Sequence, residues 1–318
     1  MPMTQLTIRD RLAGGLLGLL VGDALGVPYE FHPPQALPPV EEIDMAPPPG
    51  FARAHVGVPP GTWSDDGAQA LILLDSLLVS DGLDLRHFAD NLRRWLHEGF
   101  YAVNRSVFDV GAQTSSAINR LVAGVPPEES GPATESHNGN GSLMRVLPLA
   151  LWHVGDDADL ATLAMRQWLP THGHMRSQVC CALYCLWARA ALQGRQAPWD
   201  WAVARLRELA PGAGMNAGEV GLVTAPENAA AIRGSGYTLD TLWSARASVL
   251  AGGDYAGCVR AGIALGHDTD TTACVAGGIA GILHGHEGIP QRWRDALRGG
   301  ELVEPLLEKL LARHALAG

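Results

Sequence analysis

The sequence predicts an all-α fold, a single compact multi-helix domain over residues 1–318, on three observations. Apolar residues recur at i, i+3 and i+4 through most of the chain. Period-2 alternation bounded by turn residues is absent, which removes the ordinary signature of strands. No linker, charge run, internal repeat or composition shift divides the 318 residues.

In order, the periodicity predicts helices at Leu12–Leu25, Ala68–Val79, Leu85–Trp95, Val110–Val122, Ser142–His153, Ser177–Leu192, Asp200–Leu209, Leu239–Leu250, Tyr255–Leu265, Thr272–His284 and Arg292–Ala315. The first is rich in glycine and closes at Gly26 and Pro28. The second follows Ser64-Asp65-Asp66, residues suited to capping the free amides of a first turn. Val110–Val122 follows the polar break Phe108-Asp109, and Ser142–His153 follows the Asn/Gly turn His137–Gly141. Ser177–Leu192 is apolar and holds Cys180, Cys181 and Cys185. Leu239–Leu250 follows Gly234-Ser235-Gly236-Tyr237. Thr272–His284 follows a second acidic cluster and ends at His284-Gly285-His286, histidine being common at helix C-termini. Gly and Ala alternate within it, as in Ala276-Gly277-Gly278-Ile279-Ala280-Gly281, and such small residues let helix backbones approach closely. Residues 32–60 carry Pro33-Pro34, Pro38-Pro39, Pro47-Pro48-Pro49 and Pro59-Pro60 and read as one long irregular loop. A loop of that length in a compact domain is usually functional or mobile, and this one is expected to act as a lid.

A net charge of −10 argues against non-specific nucleic-acid binding and against an anionic membrane surface. The five cysteines form no CxxC pair, which points to buried free thiols and a reducing, cytoplasmic compartment rather than a zinc site or a disulfide frame. Leu12–Val27, preceded by Arg9 and Arg11, is only superficially like a signal peptide. Asp23 and five glycines interrupt it, and no small-residue cleavage site precedes Pro28. No apolar run is expected to span a bilayer.

The two acidic clusters carry the chemistry. Gly61-Thr62-Trp63-Ser64-Asp65-Asp66-Gly67 and Gly266-His267-Asp268-Thr269-Asp270-Thr271-Thr272 lie about two hundred residues apart. Each places paired carboxylates and hydroxyls at the start of an apolar helix. One such cluster reads as a helix cap. Two built alike suggest an all-oxygen ligand set for a hard cation, Mg²⁺ or Mn²⁺. Four converging carboxylates repel unless cations lie between them, so the pattern suggests a site for two metal ions. A shared site also requires the two ends of the chain to pack together, which again favours one domain.

Other polar constellations are individually modest. Asp23 on an apolar face reads as a cap or salt bridge. Glu30, just past Pro28, reads alone as a surface glutamate, with a position that would also let it point into a site. Asn138-Gly139-Asn140-Gly141-Ser142 feeding a helix would offer backbone amides to a phosphate, or simply an N-cap at Ser142. Neither Thr171-His172-Gly173-His174 nor His284-Gly285-His286 has the third ligand a zinc site needs. Asp109 alone would be a cap.

Together, and in order along nearly the whole chain, Gly22-Asp23-Ala24-Leu25-Gly26 with Glu30, Trp63-Ser64-Asp65-Asp66, Phe108-Asp109-Val110-Gly111, Asn138–Arg145, Thr171-His172, Gly234–Tyr237 and Asp268–Thr271 resemble the ADP-ribosylglycohydrolase family. The resemblance implies an all-α enzyme that uses two Mg²⁺ or Mn²⁺ ions to hydrolyse the glycosidic bond between ADP-ribose and an acceptor. It implies metal ligands at Ser64, Asp65, Asp66, Asp268, Asp270 and Thr271, and catalytic roles for Glu30, Asp65, Asp66 and Asp109. ADP-ribose would be bound by Asn138, Gly139, Asn140, Gly141, Ser142, Met144, His172, Gly236 and Tyr237. In the arginine-directed branch, Asp109 and Tyr237 would flank the acceptor guanidinium. The expected substrate is an ADP-ribosylated protein or a small ADP-ribose conjugate, with ADP-ribose as product. Other linkages (serine, nucleobase, metabolite) or a catalytically silent ADP-ribose-binding module are the alternatives. This chain has Ser64 where the family pattern has Thr, Gly67 where it has Thr or Ser, and His267 where it has Gly.

Overall fold

The computed structural model describes residues 6–317. Its helices are α1 (Ile8–Gly26), α2 (Asp65–Ser80), α3 (Leu85–Glu98), α4 (Ala112–Val122), α5 (Pro127–Ser130), α6 (Leu147–Trp152), α7 (Asp157–Arg166) and α8 (Met175–Leu192). They continue as α9 (Pro198–Leu209), α10 (Ala217–Val223), α11 (Thr238–Gly252), α12 (Tyr255–Ile263), α13 (Thr269–His284), α14 (Gln291–Ala296) and α15 (Gly300–Ala317). Among the described residues there is no strand, and one isolated antiparallel bridge joins Gly139 to Tyr237. The all-α expectation holds.

The central pair is α1 against α13. Gly14, Gly18, Gly22 and Gly26 recur every fourth residue and so share one face of α1. A Cβ at Gly14 would lie 2.2 Å from the Gly281 carbonyl oxygen, at Gly18 2.5 Å from that of Gly277, and at Gly22 2.2 Å from that of Ala273. At Gly26 it would lie 2.4 Å from the Asp270 Cα. The two backbones therefore meet directly along the whole contact, and only glycine permits the approach. The last of these contacts sets the end of α1, and Glu30 beyond it, beside Asp270 at the start of α13. Thr7 and Asp10 form a reciprocal capping box at the head of α1. By length and composition Ile8–Tyr29 could cross a membrane, contrary to the expectation that no run would. However, 89% of its apolar window is buried inside the protein, so the apolarity serves the core.

Several predicted boundaries move, each for a local reason. Residues 141–145 are turns, not helix, and α6 begins only at Leu147. Proline at 148 suits the first turn of a helix, where its missing N–H is not needed, but not an interior four residues further on. Ser142 therefore opens no helix, and the helix N-terminus expected to face a phosphate is absent there. The predicted helix Arg292–Ala315 is two, α14 and α15, broken at Gly299, whose φ of 77° is left-handed. A side chain at Gly299 would run into the indole of Trp63. The periodicity did not reveal α5, α7 or α10, although Asp156 and Asn216 cap the last two through their side chains. All five cysteines are buried and free.

The 32–60 loop contains short 3₁₀ turns at Pro34–Ala36 and Val40–Glu42. Its middle is anchored: Ile43 and Met45 are buried, and Asp44 accepts from Trp293 Nε1 (2.6 Å) and Arg292 Nε (3.1 Å). Residues 46–60 are tied to the chain after α1 instead: the Ala54 N–H donates to the Pro28 carbonyl at 2.9 Å, and the Phe51 ring packs against Tyr29 and His32.

Candidate functional site

Asp23 is buried near the end of α1. Its carboxylate accepts from the backbone N–H of Ser64 (3.0 Å) and Gly67 (2.7 Å), so α1 supplies a cap to the head of α2. Burial pushes its pKa up to about 7, against the pull of those amides. Ser64 also caps α2, its Oγ accepting from the Asp66 N–H at 3.2 Å. Asp23 and Ser64 thus occupy the capping positions, which leaves the Asp65 and Asp66 carboxylates free to face elsewhere. Gly67 packs beneath Trp63 and Leu20, where a Cβ would lie 2.8 Å from each, so the hydroxyl of the family pattern has no room here.

The second cluster behaves differently. Asp268 stands at the N-cap of α13 but makes no side-chain cap. Its Oδ2 instead accepts from Asn140 Nδ2 at 2.8 Å. His267 is exposed with a left-handed φ of 60°, which explains glycine at this point in the family pattern. Its backbone is pinned to the chain after Glu30: Phe31 N–H donates to its carbonyl (2.7 Å), and its own N–H donates to that of His32 (2.6 Å).

These elements bring the two clusters together. Asp65, Asp66, Asp268 and Thr271 line one cavity of about 280 Å³ with Glu30, Asp109, Gly139, Asn140, Gly141, Met144, His172 and Gly236. Thr271 Oγ1 reaches Asp66 Oδ1 at 3.4 Å, and ligand atoms of Glu30, Asp268 and Asp270 lie within 4.8 Å of one another. Burial first, and then the neighbouring carboxylates, push Asp65, Asp66 and Asp270 well above the ordinary carboxylate range. Asp66 Oδ2 and Asp270 Oδ2 are buried with no hydrogen-bond partner among the described residues. Unpaired buried carboxylate oxygens are costly, and a divalent cation would offset that cost, so the donor set fits hard cations.

The Asn138–Ser142 turn lies beside the carboxylates, joined to them by the bond from Asn140 to Asp268. The Asn140 N–H donates to the Gly236 carbonyl at 3.0 Å and the Thr238 N–H to the Asn138 carbonyl at 2.9 Å, so this turn is stitched to the 234–238 segment. Gly141 is close-fitting: a Cβ there would lie 3.0 Å from His172 Cε1 and 3.2 Å from Thr114 Oγ1. If this turn holds ADP-ribose, as the resemblance implies, Gly141→Ala should crowd the imidazole and weaken that binding several-fold by titration calorimetry, with the fold unchanged by circular dichroism. Unaltered affinity would remove this turn from the ligand site.

Not every expected residue reaches the cavity. Tyr237 lies outside its lining, its ring partly exposed and its hydroxyl accepting from Arg176 Nη1 at 3.0 Å. Ser64 and Asn138 are buried behind it, Asn138 Oδ1 accepting from Ser177 Oγ at 3.0 Å. Ser142 is fully buried.

His55 is the largest omission from the sequence reading. Its Nε2 lies 2.7 Å from Glu30 Oε2 and 3.9 Å from Asp109 Oδ1, and its ring packs against Phe31 and Phe108. Burial pushes Glu30 up to about 8, while the bond to Glu30 raises His55. A histidine in a proline-rich loop, twenty-five positions from its partner, gives no sequence signal. Gln113 and Thr114 also line the cavity, and their place just after Asp109 at the head of α4 was the available clue.

The fold and the cavity together define an all-α protein with a carboxylate floor able to hold metal ions, beside a wall of glycine and asparagine. The ADP-ribosylglycohydrolase family model matches residues 4–318, and the chain belongs to that family. It is 31% identical over 306 residues to the ADP-ribosylarginine hydrolase Tri1 of Pseudomonas putida, covering 96% of this chain and 78% of that one. Against the ADP-ribosyl-[dinitrogen reductase] glycohydrolase of Rhodospirillum rubrum it is 28% identical, covering 93% and 92%. A solved structure described as an ADP-ribosylglycohydrolase-related protein complex superposes with a TM-score of 0.74 at 33% identity, covering 98% of this chain and 99% of that one.

Proposed function

We propose that the protein is a metal-dependent hydrolase that cleaves the N-glycosidic bond between ADP-ribose and an arginine side chain, releasing ADP-ribose. The observation that supports this most is the pair of unpartnered carboxylate oxygens on Asp66, which lines the same cavity as the Asn/Gly turn, and on Asp270, buried behind the lining with ligand atoms of Glu30 and Asp268 within 4.8 Å. Names of relatives with arginine substrates favour that linkage over serine, nucleobase or small-metabolite conjugates. A silent binding module would have little use for so costly a cluster. The buried free thiols suit a reducing compartment, which we take as the cytoplasm.

Ser64, Asp65, Asp66, Asp268, Asp270 and Thr271 would hold two Mg²⁺ or Mn²⁺ ions, with Glu30 beside them. Bound there, the ions would supply positive charge to polarise a ribose hydroxyl and a water. The chain's own groups do the rest. Glu30, Asp65 and Asp66 stabilise an oxocarbenium-like transition state and move protons at the anomeric centre. Glu30 suits proton transfer because burial holds its pKa near neutrality, at about 8. Asn140, Gly139, Gly141, Met144 and Gly236 enclose the nucleotide, with Asn138, Ser142 and Tyr237 supporting them from behind and from the rim. Asp109 takes the guanidinium, since a carboxylate and an arginine form a charge-assisted pair.

The test compares arginine-linked and serine-linked ADP-ribosyl peptides, with ADP-ribose release followed by chromatography. The arginine linkage should be preferred. Asp109→Asn should lower kcat/KM on it by roughly ten- to a hundredfold, the worth of one charge-assisted contact, and far more than it alters metal affinity. Preference for serine, or indifference to Asp109→Asn, would overturn the arginine assignment. Hydrogen exchange supplies a second check: amides in 46–60 should slow when ADP-ribose binds, while those around the Asp44 anchor stay constant. Identical exchange with and without ligand would remove the lid.

A further inference from the structure

Arg145 is fully buried beneath the cavity, and among the described residues no carboxylate pairs with it. Its guanidinium donates to neutral oxygens: Nη1 to Gln69 Oε1 (2.8 Å), Nε to Gln167 Oε1 (3.2 Å), and Nη2 to the Gln167 carbonyl (3.3 Å) and Thr171 Oγ1 (2.7 Å). A buried cation without a counter-ion is expensive, and an apolar residue would fill the volume more cheaply. Its hydrogen bonds nevertheless lead into the site along two branches. Gln69 passes one on, its Nε2 donating to Asp65 Oδ2 at 3.1 Å. Thr171 passes on the other, its Oγ1 lying 2.8 Å from His172 Nδ1.

The second branch determines a proton position. Thr171 is fully buried, and its hydroxyl has one hydrogen to give. Arg145 fills one of its lone pairs, and among the described residues His172 Nδ1 is the one acceptor bonded to the hydroxyl. If Nδ1 carried the ring proton, that hydroxyl hydrogen would be buried without a partner. Donor and acceptor counting therefore places the ring proton on Nε2, the nitrogen nearer Gly139 and Gly141 in the cavity wall. Among the described residues Nε2 has no hydrogen-bond partner. Burial and the Arg145 charge both hold His172 well below its ordinary pKa, so the ring is neutral.

We infer that Arg145 and Thr171 act as a positioning relay that locks His172 in its Nε2–H tautomer and points that hydrogen into the cavity as a donor to an oxygen of the ADP-ribose. The ligand half rests on the proposed function; the tautomer half does not. A neutral donor fixed before binding suits an anionic diphosphate sugar, because it adds no charge that the carboxylate floor would have to balance and needs no rearrangement when the ligand arrives.

The full-length protein carrying ¹⁵N-labelled histidine provides the test, with His172→Asn identifying the relevant ring signals. Ligand-free wild type should show a protonated Nε2 and an unprotonated, hydrogen-bonded Nδ1. Thr171→Val, nearly isosteric, should lose the Nδ1 hydrogen bond, admit the other tautomer, and raise the dissociation constant for ADP-ribose roughly three- to tenfold, the effect of one neutral hydrogen bond. Thr171→Ser should restore both. A proton on Nδ1 in wild type overturns the relay whether or not any variant folds. So does a Thr171→Val protein with unchanged ring signals. Nε2–H in wild type without measurable ADP-ribose binding overturns the ligand half together with the ADP-ribose reading, and leaves the tautomer assignment standing.

Discussion

Asp270→Asn is expected to reduce ADP-ribose release by roughly 10²–10³-fold, the range seen when one preorganised electrostatic contact to a developing charge is removed. Asp270 is fully buried at the start of α13, one oxygen held by the Thr271 N–H at 2.8 Å and the other without any partner among the described residues. If that second oxygen is a metal ligand, wild type should be stabilised by Mg²⁺ or Mn²⁺. At a hundredfold over the dissociation constant the gain is about 2.7 kcal/mol, or several degrees in Tm. The variant should lose most of this shift. Without metal, however, its Tm should equal or exceed that of wild type, because a neutral amide relieves the repulsion among Asp66, Asp268, Asp109 and Glu30. A purely structural role predicts the reverse, a lower Tm with the metal response intact. Chelation of wild type should abolish activity reversibly. Full turnover after chelation would end the metal reading and leave the family assignment untouched.

Gly277→Ala is expected to be among the most destabilising single-methyl additions in the molecule. Its Cβ would lie 2.4 Å from the Gly18 carbonyl oxygen, and the opposing atom is backbone, which cannot rotate away. The two helices must separate by about an ångström along a contact that is glycine against backbone from Gly14 to Gly26. The cost is about 3 kcal/mol or more, the upper end of core overpacking and a large share of a typical domain's stability. Because this contact sets Asp270 beside the end of α1, whatever protein folds should also bind metal more weakly. Gly221→Ala is the control. Gly221 lies in α10 with nothing within 4 Å of the added Cβ. That change should stabilise by about 0.5–1 kcal/mol, since alanine is the better helix former. Denaturant melts of the two variants check both signs, and a Gly277→Ala protein as stable as wild type would show that the helices are not in this register.

Much of the molecule was legible before any coordinates. The i, i+3, i+4 pattern located eleven helical stretches, because each amphipathic or buried helix repeats its apolar positions with the period of the helix itself. The paired-carboxylate clusters stood out because two similar sets of charged groups at helix heads need a common explanation. Glycine spacing hinted at close backbone approach. The errors came where a local rule competed with periodicity. Pro148 delayed α6 past Ser142, and Gly299 split the last helix under Trp63. Short helices such as α5 and α10 had too few turns to show a period.

By itself the sequence determined the fold class, the two acidic clusters and the residue types able to hold a hard cation. These depend on side-chain chemistry and on spacings within one element, both of which can be read along the chain. Only the tertiary structure decided which carboxylates act as caps and which face the cavity. Asp23 and Ser64 satisfy the amides of α2, whereas Asp268 turns away from its own helix to Asn140. It alone placed His55 on Glu30 and Asp109, and linked Arg145 through Thr171 to His172. Most of these pairings join groups far apart in sequence, so no periodicity encodes them. The meeting of the two acidic clusters in particular depends on α1 and α13 touching backbone to backbone, which sets Asp270 beside the end of α1.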